Sequence, residues 1–337
     1  MKCYLHIGTE KTATTLLQHF LADNRKYLLE TGYAYLKSAG LPNNRRLTVA
    51  AFNPDRRDRF TLANHIEDNQ SLLELQKDII TEIKRELMSA PVQSVIFSSE
   101  HIHSRLTTID EINRLKSILI HLGIKETRVI VYLRNPVDIA HSLYSTAIKC
   151  GSKSKNPHHA KNPKIAHLCN HKKTLENFSS VFGKKNIEVG IFEKDYFHNE
   201  SIIEDFAKKI KLPWSNTLII PQEKNKSLSK IGLELLLKIN NSIPLVANNK
   251  DTLFREQLIN LFEKNFPEQQ KKSKKLTEEY EAEYQDSNEW VRKNWFPERK
   301  KLFNGIPTPE ENNIPTSPIE LDQIASFIID ILLIKKP

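Results

Sequence analysis

Lys11, Thr12, Thr14 and Thr15 are residue types able to hold an anion, and they follow Gly8 closely in the stretch YLHIGTEKTATTLLQ at residues 4–18. The lysine offers a mobile positive charge and the threonines offer hydroxyl donors. Tyr4, Leu5 and Ile7 have strand character, and Gly8 permits a sharp turn. Leu16, Leu17, Phe20 and Leu21 recur at helical spacing, which predicts a helix from near Thr12. A loop that feeds directly into a helix N-terminus gathers unpaired backbone N–H groups at the positive end of the helix dipole, which suits a phosphate. The pattern is not a Walker A box, where the lysine directly follows a second glycine. Here Lys11 comes three residues after Gly8, and Ala13 stands where a glycine is expected. The segment therefore suits a phosphate-bearing nucleotide without the usual NTPase arrangement.

A second group of candidates lies in R-N-P-V-D-I-A-H-S, from Arg134 to Ser142. It follows TRVIVYLR at 127–134, the strongest strand of the sequence, whose unbroken apolar run suits a central parallel strand covered on both faces. An arginine at a strand's C-terminal end, a proline at a helix start and a serine two turns on would reach the edge where open α/β sheets bind ligands. The guanidinium is a planar fork that matches a phosphate. The alternative for Arg134 alone is a salt bridge that fixes a loop.

The elements that must position these residues alternate between strand and helix. Further strands are predicted at 31–36 (TGYAYL), 92–99 (VQSVIFSS) and 187–192 (IEVGIF). Helices are predicted at 70–89, 108–122 (ended by Gly123), after Pro136, and at 174–182 and 201–211. Residues 41–68 read as loop plus short helix near the ligand mouth, and 150–171 as a long polar loop. Beyond 225 the chain reads as helical, over 227–240, 251–265, 276–295 and 318–335, with polar or Pro-rich linkers and no internal repeat. This order argues for an α/β fold with a parallel sheet, residues 1–224 forming the core and 225–337 a helical C-terminal part of the same domain. Within the core, 37–90 is a mostly helical and loop insertion, and 150–172 a substrate loop.

The 337 residues can bury a substantial core, and 9 Gly, 16 Pro and 39% apolar residues fit a helix-rich enzyme-like body. Three cysteines do not make a disulfide framework, and no charged-then-apolar leader or apolar run of about 18 residues occurs. A soluble, cytoplasmic protein is the expectation. The net charge of +9 suits anionic ligands such as nucleotides, acidic glycans or membrane surfaces. Nucleic acid is disfavoured, because the lysines are dispersed, many alternate with glutamates, and no zinc-finger, helix-turn-helix or RNP pattern appears.

Taken together, HIGTEKTATT and YLRNPVDIAHSLY resemble the sulfotransferases that use 3′-phosphoadenosine 5′-phosphosulfate (PAPS). Members carry a KxGTT-like loop for the 5′-phosphosulfate and, later, an arginine followed eight residues on by a serine for the 3′-phosphate. FSSEHI at 97–102, NKSLS at 225–229 and SNEWVRKNWF at 287–296 extend the similarity to bacterial members over most of the chain. The resemblance implies a P-loop-like three-layer fold, a central parallel sheet flanked by helices with a helical C-terminal extension. It places Lys11, Thr12, Ala13, Thr14 and Thr15 at the phosphosulfate, and Arg134 and Ser142 at the 3′-phosphate. Ala13 departs from the family's glycine, which implies a looser backbone approach.

Sulfuryl transfer moves a charged group in line between two oxygens, so positioning and charge stabilisation dominate. Lys11 would meet the charge growing on the leaving phosphate, and no metal is required. The acceptor hydroxyl needs a general base, and the strand over 92–99 ends beside Glu100 and His101; the family uses either residue type. The alternative for Glu100 is a carboxylate at a helix N-terminus; His103 reads as a surface or packing residue. The implied acceptor is a hydroxyl on a small molecule or glycan, with a carbohydrate or glycolipid foremost and a peripheral contact to a membrane glycolipid admitted. Two other readings stay open: a P-loop kinase, disfavoured by the lysine spacing, and a binding protein that has lost the base. Cys150, His158, His159, His167, Cys169 and His171 crowd one segment, but their spacing matches no standard zinc pattern. They read as part of the acceptor loop. Trp290, Trp295 and Phe296 read as packing residues, with ring stacking on a sugar or adenine as the alternative. Nothing in the sequence sets the oligomeric state.

Overall fold

A strand buried on both faces must be apolar on both, and among the described residues the β-branched and aromatic runs form five strands that are buried along most of their length. The computed structural model describes residues 1–222, 228–242, 249–266 and 274–304. The strands are β1 (Lys2–His6), β2 (Tyr33–Tyr35), β3 (Ser94–Ser98), β4 (Glu126–Leu133) and β5 (Ile187–Ile191). All neighbours are parallel, in the order β2-β3-β1-β4-β5. The fold is α/β, as the sequence predicts. His6 lies level with Ser98 of β3 and Ile130 of β4, so the C-terminal ends of the strands form one edge. The chain leaves β1 toward β2 on one side and later returns to place β4 on the other. This makes β1 the topological switch point, where ligands bind in open α/β sheets.

Alternation along the strands divides the core. Cys3, Leu5 and Ile7 join Val95, Phe97, Val129 and Val131 on one face. Tyr4 joins Ile96, Ile130 and Tyr132 on the other. Helices α1 (Thr14–Asp23) and α2 (Arg25–Glu30) cover the second face. The insertion after β2 contributes α3 (Arg45–Ala50), α4 (Arg59–Ala63) and α5 (Asn69–Met88) to the first face. There they meet α6 (Glu100–Arg105) and α7 (Ile109–His121). Gly123 closes α7 with a left-handed φ of 83°.

The chain forms two units. The first comprises Met1–Asn135, Pro163–Gln222 and Tyr284–Asn304, the second Pro136–Asn162 and the described residues of Glu223–Glu283. In the second, α8 (Pro136–Lys149) shares a small core with α12 (Lys230–Ser242) and α13 (Asn249–Asn265), built on Ile148, Leu236, Leu258 and Phe262. Arg255 donates to the carbonyls of Ile148 and Lys149, satisfying the C-terminal end of α8. The remaining helices are α9 (Pro163–Cys169), α10 (His171–Phe182), α11 (Ile202–Lys209) and α14 (Lys274–Trp295). Trp290, Trp295 and Phe296 pack on the first unit's core, the packing role read from the sequence.

Two expectations are corrected. The helix after β1 starts at Thr14, not near Thr12, because Lys11 and Ala13 take left-handed conformations that no helix continues. The polar segment 150–171 is not all loop: α9 forms where Ile165, Leu168 and Cys169 recur on one buried face. The predicted helix at 318–335 and residues 225–227 of NKSLS lie outside the described residues. No helix among the described residues is long and apolar enough to cross a membrane.

Candidate active site at the C-terminal edge of the sheet

The loop from Gly8 to Ala13 is built by three left-handed residues: Gly8 at φ 74°, Lys11 at 70° and Ala13 at 55°. Such turns gather successive N–H groups into an anion-binding concavity. Ala13 is the N-cap of α1 and offers no side-chain cap, so the first N–H groups of a ten-residue helix open on the loop. Thr9 pins the loop by donating to the Tyr132 carbonyl of β4 at 2.8 Å. Thr12 is fully buried and donates to the Thr9 carbonyl at 2.7 Å, so its hydroxyl proton braces the loop from within. Thr14 is buried at the first position of α1, Thr15 is exposed and Lys11 is half-buried.

Across this loop stands the start of α6. The N–H of Ser99 donates to the His6 carbonyl and that of His103 to the Ile7 carbonyl, joining α6 to the end of β1. A Cβ at Gly8 would lie 2.6 Å from the Glu100 Cα, so only glycine allows the two backbones this close. Gly8→Ala, which also meets an unfavourable positive φ, is expected to destabilise the protein by about 2–4 kcal/mol. Urea unfolding checks this; an unchanged midpoint would refute the close approach.

Glu100 is the first residue of α6, and its side chain is 19% exposed. One carboxylate oxygen, Oε2, accepts from Gln18 Nε2 of α1 at 2.7 Å, and Oε1 lies 3.5 Å from His101 Nε2. Burial, opposed by Glu100 and reinforced by Arg45 and Arg105, lowers the His101 pKa to about 4, so the imidazole is neutral at neutral pH. Arg45, nearly buried on α3, forms an ion pair with Asp58 and faces the rings of Phe52 and Phe60. Asp58 in turn caps α4 through the N–H groups of Phe60 and Thr61, which anchors the insertion.

Arg134 follows the last residue of β4. Its Nη1 donates to the Lys11 carbonyl at 2.6 Å, and the guanidinium lies 5.4 Å from the centre of the Phe192 ring. The Arg134 carbonyl accepts from Nε2 of His171 at 2.8 Å. That bond fixes the proton on Nε2, and burial lowers the His171 pKa to about 4.

The first unit thus brings Lys11, Thr12, Ala13, Thr14, Thr15, Glu100, His101 and Arg134 to one edge. Ser142 belongs to the second unit, half-buried on α8, where its carbonyl accepts from the Thr146 hydroxyl. The cysteine and histidine run is divided. Cys150, His158 and His159 lie in the second unit, whereas His167, Cys169 and His171 lie in the first. His103 is buried and hydrogen-bonds Thr174 at 3.0 Å. Among the described residues no group of three or more His, Cys, Asp or Glu is arranged to hold a metal ion. Sequence reasoning missed Gln18, Arg45 and Arg105. Gln18 left a signal: a polar residue on the buried stripe of Thr14, Leu17 and Leu21. Arg105 left another, four residues after His101 on the same helix.

The class defined here is an α/β protein in which a loop of left-handed residues leads into a helix N-terminus at the switch point, with Glu100 and His101 beside it. No protein-family model matches the sequence, and a comparison with curated proteins finds no match. Among solved structures, a sulfotransferase from Alicyclobacillus acidocaldarius is 14% identical with a TM-score of 0.39, the match covering 71% of this chain and 92% of that one. A sulfotransferase domain from the curacin biosynthetic pathway is 13% identical with a TM-score of 0.36, covering 76% of this chain and 96% of that one.

Proposed function

We propose that the protein is a sulfotransferase that moves a sulfuryl group from PAPS to an acceptor hydroxyl, a carbohydrate or glycolipid hydroxyl foremost, in the cytoplasm. The observation that carries this reading is the 2.6 Å contact between the Arg134 guanidinium and the Lys11 carbonyl. It brings the Arg134 guanidinium beside the lysine-bearing loop at the end of β1, with Glu100 directly across Gly8. The loop N–H groups, Lys11, Thr14 and Thr15 bind the 5′-phosphosulfate in this scheme, with Ala13 as N-cap and Thr12 holding the loop's shape. Arg134 takes the 3′-phosphate, which selects this donor over ATP. Lys11 stabilises the charge that develops on the leaving phosphate oxygen. Glu100 or His101 takes the acceptor's proton as the new oxygen–sulfur bond forms. The excess of basic residues favours acidic or hydroxyl-rich acceptors.

Calorimetric titration with adenosine 3′,5′-bisphosphate and with ATP tests the donor, and labelled sulfate transfer from PAPS onto a sugar panel tests the reaction. Preference for the bisphosphate together with transfer is the expected result. ATP binding that is equal or stronger and depends on Mg²⁺ would favour a kinase. Bisphosphate binding with no transfer would favour a binding protein. If Glu100→Gln and His101→Ala both transfer sulfate normally, the base lies elsewhere.

A further inference from the structure

The donor loop does not stop acting at Thr15. One turn into α1, Gln18 is only 2% exposed, yet it is a polar residue on the helix's apolar face. A buried amide is retained at such a position only when its hydrogen bonds are made. Its Nε2 donates to Glu100 Oε2 at 2.7 Å, and the Ser98 carbonyl at the end of β3 lies 3.5 Å away. Glu100 is therefore held twice by the same element: at its backbone by Gly8, where no Cβ fits, and at its carboxylate by Gln18. With the backbones this close, the Gln18 hydrogen bond restricts how the carboxylate can turn.

We infer that Gln18 is a positioning residue, which holds the Glu100 carboxylate aimed at the acceptor and so joins the base to the element that binds the donor. The inference rests on the transfer reaction proposed above and selects Glu100 as the base that this reaction uses. An amide N–H donates to a carboxylate oxygen, and such a bond is stronger to a charged acceptor than to a neutral one. Glu100 oxygen then accepts the proton of the acceptor hydroxyl while that hydroxyl's oxygen bonds to sulfur and the sulfur–oxygen bond to the phosphate breaks. Other charged or titratable groups interact with Glu100: His101 beside it on α6, Arg45 on α3 and Tyr35 on β2. Gln18 is distinct among these contacts in being a neutral donor at hydrogen-bond distance, so its replacement changes orientation and hydrogen bonding without removing a charge.

The test compares wild type, Gln18→Leu and Gln18→Glu in steady-state sulfate transfer from PAPS across pH, with bisphosphate affinity measured alongside. Gln18→Leu is expected to lower kcat by about ten- to a hundredfold with bisphosphate affinity within about twofold. The acid limb of kcat/KM should move to higher pH in Gln18→Leu and further in Gln18→Glu, where a second carboxylate faces the first. A merely structural role would not move the limb in that order. Thermal unfolding of each variant guards against loss of fold, and Gln18→Asn, shorter by one methylene, provides a second folded variant that should also lose kcat. Folded variants with wild-type kcat and an unmoved acid limb overturn the role of Gln18 alone. Absence of transfer by the wild type overturns the reaction itself.

Discussion

Arg134→Ala is expected to weaken adenosine 3′,5′-bisphosphate binding by about a hundredfold, while Arg134→Lys weakens it by about tenfold. The first figure matches the loss of one charge-assisted, forked interaction with a phosphate. Lysine keeps the charge but has no planar fork, so it recovers only the Coulombic part. The structure adds a second reason for a large effect. Arg134 Nη1 donates to the carbonyl of Lys11, a residue with a φ of 70°. A non-glycine residue holds that conformation only when its surroundings over-determine it. Alanine at 134 removes that bond and lets the loop relax, so the 5′ end of the ligand is also less well received. Calorimetry on the three proteins, with ATP as a comparison ligand, measures both parts. Affinity within threefold of wild type in Arg134→Ala would show that this arginine only braces the loop, and the 3′-phosphate assignment would fall.

The parts of this site that were legible in the sequence are those with local causes. Tyr4, Leu5 and Ile7 before Gly8 announce a strand and a turn, and the run from Thr127 to Leu133 announces a central strand. Arg134 needs only its place at that strand's end to be brought to the sheet's edge. The sheet order is not local: that β1 sits between β3 and β4 depends on crossovers no pattern records. Ala13 shows the same limit. Its departure from glycine was visible, but its left-handed φ of 55°, where glycine would be at ease, was not. Gln18 and Glu100 meet across 82 positions of chain, and Arg45 meets Asp58 through the fold of the insertion. The capping box of Asp58 and Thr61 was available as a short sequence signal for α4, but the arginine it supports was not. The cysteine and histidine run, contiguous in sequence, falls into both units: Cys150, His158 and His159 in the second, His167, Cys169 and His171 in the first.

The protein is expected to lose several kcal/mol of stability between about pH 6.5 and pH 5, before most carboxylates titrate. The cause is a set of neutral histidines buried around the site's supports. His6 is fully buried at the end of β1, hydrogen-bonded to Ser98 and set against Tyr132 and Phe206, and burial lowers its pKa to about 3. Burial, followed by the neighbouring His167 and His171, lowers that of His103 to about 3. Burial lowers that of His171 to about 4 against the opposing bond to the Arg134 carbonyl. In the unfolded chain each returns to about 6.5. Below that pH the unfolded state binds protons that the folded state refuses, so stability is complete above about pH 7 and declines as pH falls toward the folded values. Carrying a histidine that far below its ordinary value corresponds to roughly 3 kcal/mol, and three such groups rival the whole stability of an ordinary domain. Unfolding should therefore intervene before the folded-state values are reached. The carboxylates act lower: the Arg292 bond holds Glu289 down to about 2, and its contribution fades only in stronger acid. Urea midpoints at pH 7.5, 6.5, 5.5 and 5.0 measure the effect, and a flat series would refute it. His171→Gln keeps an amide donor for the Arg134 carbonyl but cannot take up a proton, so the slope of stability against pH should fall by up to one proton in that variant.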